Sequence, residues 1–313
     1  MLTGKNLKEM EGVADLTTTP LNQDYTLNEA NLRKEIDWSI ESGATALWLC
    51  GFVGEWPSLS VELKKRLFKV SAEQAKGRAW VGAGCHSTHL DETITLVNEA
   101  EKVGCDFAWC CPVSPRRLTE EEVVAQYQYI VDRTNLPLGV YNAFYVGTYM
   151  TAELIMRVAS IGNRIVTLKD TIGDVTHMHT LYREGVHKKL RLIAAPINAV
   201  EHLILGAAGF MGPTYMIRAA AAAYNAVKAG DMERAWALQD LMIDDPPMVS
   251  RLFPRIAGLV VGAKTVSSGI GYYKAKVSII TGIEMGPPAP PYMPATKAEI
   301  EQIKTIAEKW RHP

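Results

Sequence analysis

The stretch Ile165 to Gly173, I-V-T-L-K-D-T-I-G, decides how this chain is read. Ile165, Val166 and Leu168 suit a strand buried on both faces, and Asp170 to Gly173 carries the turn chemistry that ends one. Lys169 therefore stands at a strand's carboxyl end. An ammonium held against apolar walls is costly to keep charged, so its pKa should fall, and the free amine can then attack a carbonyl carbon to form a Schiff base. The competing reading is a lysine that merely ends a strand and points into solvent. The flanking sequence decides between the two.

Working outward, apolar runs of strand length recur on both sides. Val13 to Thr17, Ala46 to Cys50, Ala79 to Ala83, Phe107 to Cys111 and Leu138 to Tyr141 precede the lysine strand, and Leu192 to Ala195 and Gly209 to Met211 follow it. Helical spacing fills the gaps. Leu32, Ile36 and Ile40 mark a helix from about Leu27 to Ser42, one begins at Ser60, one spans Leu90 to Val103, and Thr119 with Glu122 opens another as a capping box. Strand and helix alternating in this way is the pattern of right-handed βαβ crossovers, and eight such units close into an α/β fold, the (β/α)8 TIM barrel. No G-x-G-x-x-G follows the first strand, which argues against a dinucleotide-binding sheet. After Lys228 the pattern is helical only: Asp231 to Ile243, a segment near Arg251 to Val266, Tyr272 to Ile280 and Lys297 to Trp310. Residues 1–228 are thus expected to form the catalytic barrel and 229–313 a C-terminal helical extension. Within that extension Gly286 to Pro291, G-P-P-A-P-P, is stiff, polyproline-like chain suited to buttressing the barrel.

Composition narrows the partners. The 313 residues are 48% hydrophobic and 21% charged with net charge -1, enough for a large core and without the basic excess that nucleic acid or an anionic membrane would call for. A small molecule is the expected partner. The N-terminus lacks an apolar signal region and no run approaches the roughly 18 apolar residues of a membrane span, so a cytoplasmic location is expected. Cys50, Cys85, Cys105, Cys110 and Cys111 are odd in number and form no C-x-x-C pair, which favours reduced, packed thiols. His86 with His89 and His177 with His179 have spacings a metal could use, but no carboxylate or cysteine completes a set, so no metal and no cofactor are expected.

In such a barrel the chemistry collects at the carboxyl ends of the strands. Tyr141 ends the fifth strand, beside the sixth, and its phenol either shuttles protons for an imine or packs as an ordinary aromatic. Gly51 to Glu55, G-F-V-G-E, leaves the second strand with two glycines that let backbone amides turn toward a carboxylate. Glu55 reads as a structural carboxylate that caps loop amides.

These three pieces together resemble the dihydrodipicolinate synthase and N-acetylneuraminate lyase family of pyruvate-type class I aldolases, across essentially the whole chain. The resemblance implies that Lys169, in K-[DE]-x-x-G, forms the imine and that Tyr141, in a Y-N pair with Asn142, is the catalytic tyrosine. It implies that Phe52, Val53 and Gly54 hold the carboxylate of a 2-oxo acid, with Thr19 of the Thr-Pro pair nearby. Homo-oligomers, tetramers or dimers, are common in the family, and Val113 stands where an interface tyrosine is expected.

The departures are informative. Phe52 and Val53 replace hydroxyl residues, and Cys111, Pro112, Val113, Ser114 and Pro115 replace the segment bearing a second relay tyrosine. Val146 replaces an arginine for a second substrate's carboxylate, and Ala195 to Asn198 lacks the acids of the sialic-acid lyases. What remains near the strand ends is apolar and aromatic: Phe52, Trp56, Phe144, Tyr145, Val146, Ile197 and Met211, with His86 as a further substrate contact. The expected activity is a Schiff-base lyase acting on a 2-oxo acid, by retro-aldol or hydratase-aldolase chemistry, releasing pyruvate and an apolar or aromatic aldehyde. A dehydratase or deaminase of a 2-oxo acid shares the imine, and a barrel that has lost catalysis and only binds a ligand or partner is the reading of another class.

Overall fold

The computed structural model describes residues 6–143, 147–172, 174–243 and 269–313. Eight parallel strands close into a barrel in chain order: β1 (Gly12–Leu16), β2 (Ala44–Leu49), β3 (Trp80–Gly84), β4 (Phe107–Cys110), β5 (Leu138–Asn142), β6 (Ile165–Asp170), β7 (Arg191–Ala194) and β8 (Gly209–Pro213). Outside them run α1 (Glu29–Glu41), α2 (Val61–Ala75), α3 (Leu90–Val103), α4 (Glu120–Val131), α5 (Ala152–Ala159), α6 (Val175–Arg183), α7 (Val186–Lys189), α8 (Ala199–Ile204) and α9 (Ile217–Ala229). The C-terminal helical region contains α10 (Met232–Ile243), α11 (Ile270–Thr281) and α12 (Lys297–Arg311). The helix expected near Arg251 to Val266 lies outside the described residues. Helix starts follow their caps: the Ser60 hydroxyl accepts the Leu63 N–H, and Thr119 and Glu122 bond reciprocally. The helices α5 to α8 are short, and a single turn or two gives the 3.6-residue pattern too little length to register. Among the described residues no helix is long and apolar enough to cross a membrane.

Alternation along each strand sorts side chains into two cores. Leu47, Leu49, Val81, Val140 and Leu168 face outward and pack under the helices. Ala46, Trp48, Phe107, Trp109, Tyr141, Ile193 and Met211 form a separate inner cluster. Trp48 and Trp109 stack there with ring centroids 4.4 Å apart, and Phe107 meets Trp109 edge-on at 5.1 Å. Glycines make the room. A Cβ at Gly82 would come within 2.5 Å of Phe107 and Trp109, and one at Gly139 within 2.5 Å of Trp109. Each buried aromatic contributes roughly 4 to 6 kcal/mol at 25 cal/mol per Å². The barrel is therefore plugged by indoles, and they make the floor on which the residues at the strand ends sit.

Between β1, α1 and the turn after β8 lies a buried acid pair. Thr214 Oγ1 is 2.9 Å from Asp15 Oδ1 and 2.8 Å from Glu35 Oε1, so its one hydrogen serves one carboxylate at a time. Ser39 and Thr17 donate to Asp15, the Thr18 N–H and hydroxyl bond Glu35, and Glu35 Oε2 has no partner among the described residues. Burial pushes Asp15 up to about 6; burial and then the Asp15 charge push Glu35 up to about 8. At neutral pH the pair thus holds one proton, carried by Glu35.

The proline-rich segment buttresses the barrel as its stiffness suggests. The Leu21 N–H donates to Met285 O at 3.0 Å, and the Ala289 N–H donates to Glu55 Oε2 at 2.5 Å.

Candidate active site

Parallel pairing of β5 with β6 sets Tyr141 opposite Lys169 and Asn142 opposite Asp170. The two pairs point to opposite sides of the sheet. Asn142 Nδ2 donates to Asp170 Oδ2 at 2.9 Å and to Met150 O, while His177 Nε2 meets the same Asp170 oxygen at 2.9 Å and its Nδ1 meets Tyr149 Oη. These bonds clamp the ends of β5 and β6 together from the helix side. His177 is thus engaged by Asp170, and Gly173, the last residue of the quoted segment, lies outside the described residues.

Lys169 and Tyr141 point into the barrel. Lys169 is 3% exposed, with Nζ 3.5 Å from the centroid of Trp48 and 4.3 Å from that of Tyr141. Two influences oppose each other. The ring faces favour the ammonium by about 2 kcal/mol, whereas stripping water from a cation costs several. Burial wins, and the Lys169 pKa falls well below the usual lysine range. A lysine whose charged form is disfavoured in this way suits a nucleophile.

The loop after β2 carries backbone strain at both ends. Cys50 (φ 51°) and Glu55 (φ 63°) occupy the left-handed region, whereas Gly51 and Gly54 do not, so the glycines are not the residues that turn this loop. Gly54 is required for another reason: a Cβ there would lie 3.0 Å from Thr17 O and 3.1 Å from Cys50 N. The close approach lets the Thr19 hydroxyl donate to Gly54 O at 2.8 Å, tying the β1 and β2 loops together. Val53 turns its side chain into the outer core. The N–H groups of Val53 and Gly54 make no backbone hydrogen bond among the described residues. Glu55 is fully buried and pairs with Lys274 of α11 at 2.9 Å; Lys274 Nζ also donates to Thr19 O and Pro287 O. It is a structural carboxylate, and what it caps is the proline-rich segment together with Lys274.

The remaining expected residues divide. His86 is 1% exposed, its ring 5.7 Å from Tyr141 and 5.5 Å from Trp56, and burial lowers its pKa to about 3. Met211 belongs to the inner cluster with Tyr141. Phe52 and Trp56 are half-buried in the β2 loop. Phe144, Tyr145 and Val146 lie outside the described residues. Two neighbours escaped the sequence reading. Cys111 shares the inward face of Phe107 and Trp109, and its Sγ is 3.2 Å from His86 Nδ1; the two-residue alternation of β4 is the signal that finds it. Lys64 of α2 is 6% exposed with Nζ 5.7 Å from the Trp56 ring, and its spacing with Leu67, Phe68 and Ser71 on the buried helix face is its signal.

Comparison with known proteins gives one family. A model described as the dihydrodipicolinate synthetase family matches residues 9–308. The 4-hydroxy-tetrahydrodipicolinate synthase of Novosphingobium aromaticivorans is 31% identical over 230 residues, 70% of this chain and 75% of the relative. That of Desulforudis audaxviator is 28% identical over 304 residues, 92% of this chain and 93% of the relative. Among solved structures, YagE of E. coli K12, a prophage protein of the dihydrodipicolinic acid synthase family in complex with pyruvate, superposes with a TM-score of 0.86 at 20% identity, covering 96% of this chain and 98% of that one. A likeness at that identity speaks for the fold.

Proposed function

This chain belongs to the dihydrodipicolinate synthetase family, a family of class I lyases that work through a lysine Schiff base, and from that premise we propose that Lys169 is its imine lysine and Tyr141 its proton shuttle. The observation that carries the reading is Lys169 itself: a buried amine against the faces of Trp48 and Tyr141, whose charged form burial disfavours. In the proposed reaction Lys169 Nζ adds to the C2 carbonyl of a 4-hydroxy-2-oxo acid and water leaves, giving the iminium. Tyr141 gives its proton to the departing carbinolamine hydroxyl, and its phenolate then takes the C4 hydroxyl proton as the C3–C4 bond breaks, the electron pair passes into the enamine, and the aldehyde departs. Tyr141 protonates C3, and hydrolysis returns pyruvate and the free amine. The amides of Val53 and Gly54, beside Phe52 and steadied by Thr19, receive the carboxylate. YagE is itself a complex with pyruvate, which accords with such a 2-oxo acid.

For the distal half we propose a largely apolar or aromatic group, cleaved directly or after hydration of a double bond, with Trp56 and Met211 beside it. Support comes from the make-up of the surroundings: each sugar hydroxyl buried without a partner costs roughly 1 to 3 kcal/mol, and rings repay apolar area instead. Lys64 favours a second reading, a distal carboxylate, because it is a buried lysine over Trp56. Borohydride reduction with pyruvate, followed by peptide mass spectrometry, tests the imine: a stable adduct on Lys169 is expected, and an unmodified Lys169 with activity surviving in Lys169→Ala refutes it. Competing a benzylidene pyruvate against 2-keto-3-deoxygluconate and 4-hydroxy-2-oxoglutarate tests the distal half. The highest kcat/KM is expected for the first.

A further inference from the structure

His86 has two ring nitrogens and one partner. Nδ1 lies 3.2 Å from Cys111 Sγ, while Nε2 is buried and bonded to nothing among the described residues. A buried polar atom left this way costs free energy unless something that enters the site satisfies it. The ring centroid lies 5.7 Å from that of Tyr141, whose own centroid is 4.3 Å from Lys169 Nζ, so His86 and the lysine neighbour the same aromatic ring. An oxygen on the fourth carbon of a 2-oxo acid bound as an imine lies about 4 to 5 Å from the imine nitrogen at ordinary bond lengths. That reach is comparable with the 4.3 Å from Lys169 Nζ to the centre of the Tyr141 ring.

We propose that His86 Nε2 receives the oxygen on the fourth carbon of an imine-bound 4-hydroxy-2-oxo acid, and that Cys111 is a positioning residue that sets the tautomer of its ring. The proposal rests on Lys169 as the imine lysine.

The hydrogen count favours a hydroxyl. His86 is held neutral by burial and the Cys111 thiol is held protonated, so each carries one hydrogen. Either Sγ–H donates to Nδ1 and Nε2–H is a donor, or Nδ1–H donates to Sγ and Nε2 accepts. A hydroxyl, both donor and acceptor, satisfies Nε2 in both tautomers. After C–C cleavage the oxygen belongs to an aldehyde and only accepts. The product state therefore selects the first tautomer, which exists because the thiol supplies a hydrogen to Nδ1. Burial first and then the Lys64 charge lower the His86 pKa, so the ring serves as a neutral hydrogen-bonding group and not as a cation.

The test uses the full chain with 4-hydroxy-2-oxo-4-phenylbutanoate, measuring pyruvate release beside borohydride trapping of pyruvate, which has no fourth carbon. His86→Phe should lose about 10²-fold in kcat/KM for cleavage while trapping stays within about threefold of wild type. His86→Asn, which keeps a donor and an acceptor, should lose less. Cys111→Ala should lose about tenfold, and Cys111→Ser, which keeps the hydrogen, should restore most of it. Wild-type cleavage in His86→Phe overturns the proposal, as does a loss of cleavage and trapping in equal measure in both His86 variants. A wild-type enzyme that traps no pyruvate overturns the imine reading and this one with it, whereas trapping with unaffected variants overturns this one alone.

Discussion

Removing Lys274 should weaken the fold and the site together. Its ammonium, 2% exposed, gives hydrogen bonds to Glu55 Oε1, Thr19 O and Pro287 O, and Glu55 is itself fully buried. Burial pushes the Lys274 pKa down and the Glu55 pKa up, so desolvation outweighs their mutual attraction and the pair contributes little net stability. Breaking it is another matter. Lys274→Met strands a buried carboxylate and two carbonyls, at a cost of roughly 3 to 5 kcal/mol. At about 2 °C per kcal/mol for a chain of this size, Tm should fall by roughly 6 to 10 °C. Glu55→Gln added to Lys274→Met removes the stranded charge while keeping an acceptor for the Ala289 N–H, so the double variant should recover about 2 kcal/mol relative to additivity. Because Thr19 also holds Gly54, KM for the 2-oxo acid should rise in Lys274→Met. Scanning calorimetry on the four members of the cycle measures this. A single variant within 1 °C of wild type, or strict additivity, refutes the reasoning.

Tyr141→Phe keeps the ring beside Lys169 and removes the hydroxyl, so turnover should drop 10²- to 10⁴-fold with folding little changed; wild-type turnover would assign the hydroxyl to structure. Gly139→Ala forces a methyl to within 2.5 Å of Trp109 and should cost about 1 to 3 kcal/mol, whereas Gly162→Ala, with nothing within 4 Å among the described residues, should be near neutral; equal midpoints would show that the inner packing yields. For Asp15 and Glu35 the folded pKa values, about 6 and about 8, lie above their unfolded ones. Their stability contribution is therefore complete below about pH 4 and is lost as pH rises through 6 and 8, at up to about 1.4 kcal/mol per pH unit and proton. Glu35→Gln should flatten the fall in Tm between pH 5 and 8.5, and parallel curves for the two proteins would count against the shared proton.

The barrel was legible because each strand is an apolar run bounded by turn residues, and Lys169 stood out as the charge that interrupts one. Partners distant in sequence were not. Lys274 meets Glu55 across 219 residues, and no local pattern in Y-K-A-K announces a buried cation. The A-L-W-L-C run reads as a strand, yet which of its side chains faces inward depends on register, and register makes Trp48 the platform beneath Lys169. Cys111 shows the converse, since the alternation from Phe107 through Trp109 already implied its inward face. The turn of the β2 loop was assigned to glycines on composition, whereas Cys50 and Glu55 carry it, because the surrounding contacts hold non-glycine residues in a conformation that sequence alone disfavours.

The stacked indoles below the lysine give the enzyme an optical property as well as a packing one. Trp48 and Trp109 lie 4.4 Å apart and inclined by 26°, close enough for their electronic transitions to couple, and Lys169 Nζ, the nitrogen proposed to form the imine, rests on the face of one of them. On the proposed mechanism, converting that nitrogen from a neutral amine to a charged iminium would alter the field across the indole pair. Circular dichroism and fluorescence of the unlabelled protein should therefore report each arrival and departure of a 2-oxo acid in real time, and replacing Trp109 with leucine should silence the signal.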